Sequence, residues 1–455
     1  MRSHVHGLGI AGESTVRALR RLGHVVTVTD DVLDDNRRAR ADALGCGIAL
    51  PPNDLGALLD GVDALYPAPG VPVAHPMVQM AQTRGVQIMS ELELAYRIEQ
   101  GRPGGPRPSV AVTGTDGKTT TVAMVASILA AAGRRPVQCG NTDIPMVDAT
   151  EMDVDTYVVE CSSFRLQWCS SFRADAAIWL NLAPDHLDWH GDLEAYAESK
   201  ARIWEGQNPT DISVGIIDDP IVARRLQHAP GRQVTVGATG HYRLDGVNLV
   251  GPTGVIMSTD DLPRRLPHDV TNALAAAAAC IEAGLASPDD VAEGLRSFAH
   301  PPHRIHTVAT IDGITYVDDS KATTPHAAVT AIRSFPSVVL IAGGRNKGLD
   351  MLPLASTVDR LRGVVAIGDA ADEVLGVIGA AVPTVRATSM EDAVACATSM
   401  ASEGDTVLLS PACASFDWYP TGGYGARGDH FARVVNGLAA RGTRTSAGIR
   451  GGGDR

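Results

Sequence analysis

The sequence predicts an α/β protein of three domains with mostly parallel sheets. Three observations carry this expectation. The chain has 455 residues, enough for about three domains at ~150 residues each. Two stretches, near residues 4–22 and 110–129, read as a short strand, a glycine-rich loop and a helix. Several further apolar runs are continuous rather than alternating and end in polar loops, as parallel strands covered on both faces do.

The first domain, 1–100, opens with His4-Val-His-Gly7-Leu-Gly9-Ile10-Ala11-Gly12, which contains G-x-G-x-x-G. A helical run to Leu22 follows, then a strand from Val25 ending at Asp30, an acidic residue at Rossmann-like spacing. Alone, this fingerprint predicts a dinucleotide; a tight strand–helix turn that binds nothing fits the same letters. A strand from Ala64 runs into the Pro/Gly loop at Gly70, and Glu91-Leu-Glu-Leu-Ala-Tyr96 reads as helix.

Gly101-Arg-Pro-Gly-Gly-Pro-Arg-Pro108 reads as a linker into the central domain, 109–299. Here the apolar run from Val110 ends in Thr113-Gly114-Thr115-Asp116-Gly117-Lys118-Thr119, and a helix follows. Such a loop cradles a polyphosphate: backbone N–H groups and the helix N-terminus face the anion, Lys118 neutralises it and a threonine hydroxyl reaches Mg²⁺. Val112 stands where the general pattern has its first glycine, so a glycine turn with a chance Lys-Thr is the alternative to a P-loop ATPase-like domain. Strands ending at Glu160 and Asn181 lead into polar clusters, the second containing Asp185 and His186. Ligands of open α/β sheets sit at that edge, so Lys118, Glu160, Asp185 and His186 are expected to converge.

Asp192 is a candidate N-cap for a helix running to Trp204. Residues 214–266 read as strands and turns, and Asn272–Cys280 as a buried helix. Pro301-Pro-His-Arg304 marks the start of a Rossmann-like third domain, 300–440, with strands ending in loops at 318–321, 343–347, 368–369 and 410–415. The Gly-, Arg- and Ser-rich tail, 441–455, is expected to be disordered.

The net charge of −13 excludes a bulk nucleic-acid surface, while local basic pockets for small anions stay open. Seven cysteines without a C-x-x-C pair fit reduced thiols better than a disulfide frame or a zinc site. No uninterrupted apolar stretch approaches ~20 residues and no signal peptide opens the chain, so a cytoplasmic protein without membrane insertion is expected.

Read together, residues 7–12, 114–119, Glu160-Cys-Ser-Ser-Phe-Arg-Leu166, Asn181-Leu-Ala-Pro-Asp-His-Leu-Asp188, Lys200, His303-Arg304, Asp319-Ser-Lys-Ala-Thr323, 343–348 and Leu409-Ser-Pro-Ala-Cys-Ala-Ser415 occur in one order. In that order they resemble the Mur ligases of peptidoglycan synthesis, most closely the glutamate-adding members. The resemblance implies an ATP-dependent carboxylate–amine ligase, a monomer. ATP phosphorylates the carboxylate of UDP-N-acetylmuramoyl-L-alanine, the amine of glutamate attacks the acyl phosphate, and a tetrahedral intermediate expels phosphate. D-glutamate is the first expectation, with L-glutamate open.

The same resemblance assigns residues. Gly114, Thr115, Asp116, Gly117, Lys118, Thr119 and Thr120 would surround the ATP phosphates, with Asn272 near adenine and Arg304 and Asp319 also around ATP. Thr119, Glu160, His186 and a carbamylated Lys200 would ligate two Mg²⁺ ions. Lys118, Glu160, His186 and Lys200 would be catalytic. A lysine must lose its proton to capture CO₂, and burial favours that loss. Gly9, Ile10, Ala11, Gly12 and Gly70 would hold the UDP group, making the first domain a UDP-substrate domain rather than an NAD site. Asp30 and Asp31 lie where uridine is read, and Asn141 would contact the substrate. Lys321, Thr323, Lys347, Ser415, Phe416 and Tyr424 would bind glutamate; two cations suit a dianionic amino acid.

Departures temper the match. Asp116 stands where the loop commonly has Asn, Pro184 where an acidic residue is usual, and Asp269 where Asn is frequent. Val32 replaces an arginine found in some relatives, and 418–423 looks longer than usual beside the amino-acid pocket. A Mur-type ligase for another amino acid or for folate, an NAD-dependent oxidoreductase, and a non-catalytic ATP-binding scaffold are the rival readings.

Overall fold

The computed structural model describes residues 1–447. The first sheet is parallel, in the order Val25–Thr29, Arg2–His6, Ala64–Pro67, Gln87–Ile88. The central sheet is also parallel, in the order Arg232–Val236, Ile212–Ile216, Ala176–Trp179, Ser109–Thr113, Thr156–Glu160, Pro136–Gly140. Its middle strand, Ser109–Thr113, is entirely buried, and that is why it reads as a continuous apolar run.

Helix Lys118–Ala131 leaves this strand and packs against helices Pro267–Glu282 and Pro288–Arg296. A Cβ on Gly294 would lie 2.4 Å from Ile128 Cα, so the second crossing requires glycine. The alanines 273 and 275–279 are fully buried, and their small side chains let helix Pro267–Glu282 lie close to its neighbours.

Contacts group Met1–Ala299 into one compact unit and set the chain from His300 apart as a second. The first two sheets both lie within the first of these units. Arg107, within the Gly/Pro stretch, is buried: it pairs with Glu99 at 2.9 Å and donates to the carbonyls of Thr150, Met152 and Val154. Glu93, on helix Glu91–Gln100, accepts the backbone N–H groups of Ser170, Ser171 and Phe172. These buried polar ties fix one sheet to the other.

The second unit carries a six-stranded sheet in the order His306–Ile311, Ile314–Asp318, Thr406–Leu409, Val338–Gly343, Leu361–Ile367, Thr384–Arg386, antiparallel only at its first pair.

Two local expectations need correction. Within 214–266 a helix, Pro220–Leu226, forms because Asp219 caps the N–H groups of Ile221 and Val222 and Pro220 starts it. The final helix, Gly423–Ala447, runs past Arg441, where a disordered tail was expected to begin. Residues 448–455 of that tail lie outside the described residues. Among the described residues no helix is long and apolar enough to cross a membrane.

Candidate active site

The phosphate loop sits at the carboxyl end of strand Ser109–Thr113, flanked by the ends of Thr156–Glu160 and Ala176–Trp179. Gly117 caps the following helix at φ 84°, and a Cβ there would come within 2.9 Å of Asn272 Oδ1, so the position demands glycine. Asn272 therefore lies against the loop. The N–H groups of Lys118, Thr119 and Thr120 open the helix and make a site for an anion.

Asn181 shapes the loop: its Oδ1 accepts from Thr115 N at 3.0 Å and Asp116 N at 2.9 Å, and its Nδ2 donates to Asp116 O at 3.2 Å. Sequence reasoning placed Asn181 in a motif without a role, because the pairing spans 65 residues. Lys118 Nζ donates to the carbonyls of Gly114 and Thr115, both at 2.9 Å.

Thr119 and Glu160 meet as expected. Thr119 Oγ1 donates to Glu160 Oε2 at 2.8 Å, and Asn141 Nδ2 donates to Glu160 Oε1 at 2.9 Å. The chain of contacts continues: Arg165 Nη1 donates to Asn141 Oδ1 at 2.6 Å, and Arg165 Nε to Glu91 Oε2 at 3.2 Å. Arg165 and Glu91, both missed in the sequence, line a cleft with Gly12, Thr15, Tyr66 and Phe164. The polar chain thus joins the phosphate loop to the glycine loop of the first sheet.

Lys200 is 1 % exposed and donates from Nζ to Gly114 O at 2.7 Å. Burial, then the nearby Lys118 charge, hold its ammonium well below the usual lysine range, against the opposing pull of Asp185 and Asp116. Asp116, unexplained in the sequence, therefore acts on the Lys200 charge. Tyr196 lies between two expected groups: Lys200 Nζ stands 4.4 Å from its ring centroid, and the His186 ring 6.4 Å. His186 has φ 55°, a left-handed backbone that few non-glycine residues adopt, and its Nε2 lies 3.1 Å from Asp185 Oδ2. Such conformations gather at functional sites.

In the first sheet a Cβ on Gly12 would fall 2.0 Å from Gly7 O, so this glycine serves strand–helix packing. Gly9, Ile10 and Ala11 form the opening turn of helix Ile10–Arg21. Asp30 is committed inside the protein: it accepts from Leu8 N at 2.7 Å and Val32 N at 3.0 Å and pairs with Arg37 at 2.9 Å. Asp31 is exposed. Gly70 has no neighbour near its Cβ direction and no left-handed φ, so nothing local requires glycine there.

In the second unit, Asp319 is buried and accepts from Ser410 Oγ at 2.8 Å and Ile305 N at 3.2 Å. Burial pushes its carboxyl up to about 7, against the Ser410 hydrogen bond and the Arg304 charge. Lys321 Nζ donates to Tyr424 OH at 3.0 Å. The loops carrying Lys347 and Ser415 are joined by backbone bonds between Arg345 and Ala414 at 2.8 and 3.1 Å. Arg427, which the sequence reading passed over, is the buried tie: it donates to Ser320 Oγ at 2.9 Å, Ser320 O at 2.8 Å and Cys413 O at 3.2 Å. Lys321, Ser415 and Tyr424 therefore gather at one sheet edge. Thr323 stands beside Thr324, the cap of helix Pro325–Arg333; Phe416 is exposed.

Known proteins match this chain along most of its length. Residues 112–280 match the Mur ligase middle domain, and residues 303–413 the Mur ligase glutamate ligase domain. The UDP-N-acetylmuramoylalanine–D-glutamate ligase of Streptomyces avermitilis is 41% identical over 466 residues, covering 96% of this chain and 98% of that one. The enzyme of the same name from Frankia casuarinae is 42% identical, covering 95% and 93%. These relatives are named as ligases, not oxidoreductases. Among solved structures, UDP-N-acetylmuramate–alanine ligase from Thermotoga maritima superposes with TM-score 0.59 at 20% identity, over 96% of this chain and all of the other. MurF from the same organism, in complex with ADP, gives 0.60 at 18% identity, over 84% and 91%. These two show the fold. With a phosphate loop, the Glu160–Asn141–Arg165 chain and relatives above 40% identity end to end, this chain belongs to the Mur ligase family, in its UDP-N-acetylmuramoylalanine–D-glutamate ligase group.

Proposed function

We propose that this protein joins D-glutamate to UDP-N-acetylmuramoyl-L-alanine with ATP, as a cytoplasmic monomer making a peptidoglycan precursor. One observation carries the reading: the chain from Thr119 through Glu160, Asn141 and Arg165 to Glu91 links the triphosphate loop to the cleft beside Gly12. A nucleotide at the loop and a UDP-sugar at the glycine turn would meet along it.

The loop N–H groups and Lys118 receive the ATP phosphates. Arg165 and Asn141 offer donors to the substrate carboxylate that takes the phosphoryl group, holding it in line. Thr119 and Glu160 present oxygen donors whose chemistry fits Mg²⁺, and they would hold it, with His186 as the nitrogen ligand the family resemblance implies. Magnesium supplies charge neutralisation for the transferred phosphoryl group. Lys200, whose neutral amine burial favours, would form an N–C bond with CO₂ and release a proton, giving a carbamate. Arg304 and Asp319 are assigned to ATP. Lys321, Thr323, Lys347 and Ser415 are assigned to glutamate, with Tyr424 and Phe416 beside them. The glutamate amine then attacks the acyl phosphate and phosphate departs.

The test is phosphate release from ATP with UDP-N-acetylmuramoyl-L-alanine, comparing D- and L-glutamate. Release with D-glutamate is expected. Faster turnover with L-glutamate reverses the stereochemistry, and silence with both overturns the reading.

A further inference from the structure

At the end of the first sheet, three side chains from separate elements face one point. His6 ends strand Arg2–His6, Asp31 follows strand Val25–Thr29, and His75 caps helix Pro76–Thr83. A ligand atom from each lies within 4.8 Å of the other two, and among the described residues no other trio of such side chains does so. We propose that His6, Asp31 and His75 form a zinc-class metal site, separate from the phosphate-loop site.

The geometry is particular. His75 Nε2 stands 3.1 Å from Asp31 Oδ2, and His6 Nε2 stands 3.5 Å from the same oxygen. The two imidazole centroids are 4.6 Å apart. The His6 side chain is 1 % exposed, yet its Nε2 has no hydrogen-bond partner. The Asp31 carboxylate at 3.5 Å pairs this buried atom only loosely, and a cation between the three groups would satisfy it better.

The outer contacts suit ligation. His6 Nδ1 lies 2.9 Å from Thr29 Oγ1, which lies 2.8 Å from His4 Nε2; His4 Nδ1 lies 2.8 Å from Thr27 Oγ1. Two opposite proton orders satisfy all of them; in the one competent for ligation, His6 Nδ1–H donates to Thr29, the Thr29 hydroxyl donates to His4, and His4 Nδ1–H donates to Thr27. That order leaves the His6 Nε2 lone pair facing the trio, the outer-shell arrangement that metal-ligating histidines use.

One contact opposes binding. His75 Nδ1 accepts the Met77 N–H at 3.2 Å, which favours a proton on Nε2. Ligation through Nε2 gives up this helix cap, which the two other ligands must outweigh. Two imidazoles and one carboxylate suit Zn²⁺, or Co²⁺ as its spectroscopic stand-in, rather than Mg²⁺, which prefers oxygen. Three protein ligands leave a fourth position open, and Asp31 keeps that side toward solvent.

The experiment uses the full chain stripped with chelator and titrated with Co²⁺ and then Zn²⁺, read by visible cobalt absorption and by calorimetry. His75→Asn retains a capping side chain but loses the imidazole, and Asp31→Asn leaves the buried histidines in place. Each is expected to lower affinity at this site at least tenfold and to remove its cobalt bands. A smaller loss in both variants, or no cobalt bands in the parent chain, overturns the assignment. Neither readout depends on ligase turnover.

Discussion

Lys200 and Lys118, 82 residues apart in the numbering, donate to the same carbonyl oxygen, that of Gly114, at 2.7 and 2.9 Å. Two ammonium groups on one acceptor repel each other, and Lys200 is the buried one. Burial and Lys118 together favour its neutral amine. A neutral amine is the form that captures CO₂, so the loop that would hold ATP also prepares the lysine beneath it.

Lys200→Ala is accordingly expected to lose on the order of 100-fold or more in kcat, as removal of a preorganised charged group does. Acetate added to the assay restores part of it by standing in for the carbamate. Full activity in the alanine variant would remove Lys200 from the mechanism.

Asn181→Ala deletes three hydrogen bonds that hold the turn Thr115–Asp116. At ~1 kcal/mol each, ~3 kcal/mol in all, kcat/KM for ATP should fall by on the order of 100-fold. Steady-state titration with ATP measures this, and an unchanged value shows that the loop holds its shape without the clamp.

Arg427→Met leaves the carbonyls of Ser320 and Cys413 without their donor. The second unit should lose ~2–4 kcal/mol of stability, and KM for glutamate should rise because the loops of Lys321 and Ser415 lose their common tie. Arg427→Lys is expected to rescue little, since one ammonium cannot reproduce the planar fork. Urea unfolding and glutamate titration read the two effects separately.

Asp319 gives a pH signature. Its folded carboxyl sits near 7, above the ordinary value, so between about 4 and 7 the native state holds a proton that the unfolded state has released. Stability of the second unit therefore falls as pH rises through that window, by up to ~1.4 kcal/mol per pH unit, and the full loss is present above about 7. Asp319→Asn should flatten the slope of Tm against pH. An equally steep slope in the variant would assign the effect to another group.

The site was legible in parts. Lys118, Thr119 and Glu160 could be placed from sequence because a glycine loop and a strand end impose them locally. Asp30 was read as a ligand-facing residue, yet its carboxylate is taken by Leu8, Val32 and Arg37. Arg165, Glu91, Asn181 and Arg427 went unassigned because their partners are distant in the chain, and no local pattern marks such pairs.

By itself the sequence determined the α/β class, the parallel strands, the two glycine turns and the Asp192 cap, which accepts from Ala195 N at 2.8 Å. These follow from side-chain periodicity and backbone freedom over a few residues. Only the tertiary structure decided that the first two sheets form one unit, that Lys200 lies beneath the phosphate loop, and that His6, Asp31 and His75 meet. Those facts depend on which buried polar groups find partners across 40 to 90 residues, and such pairings are set by packing.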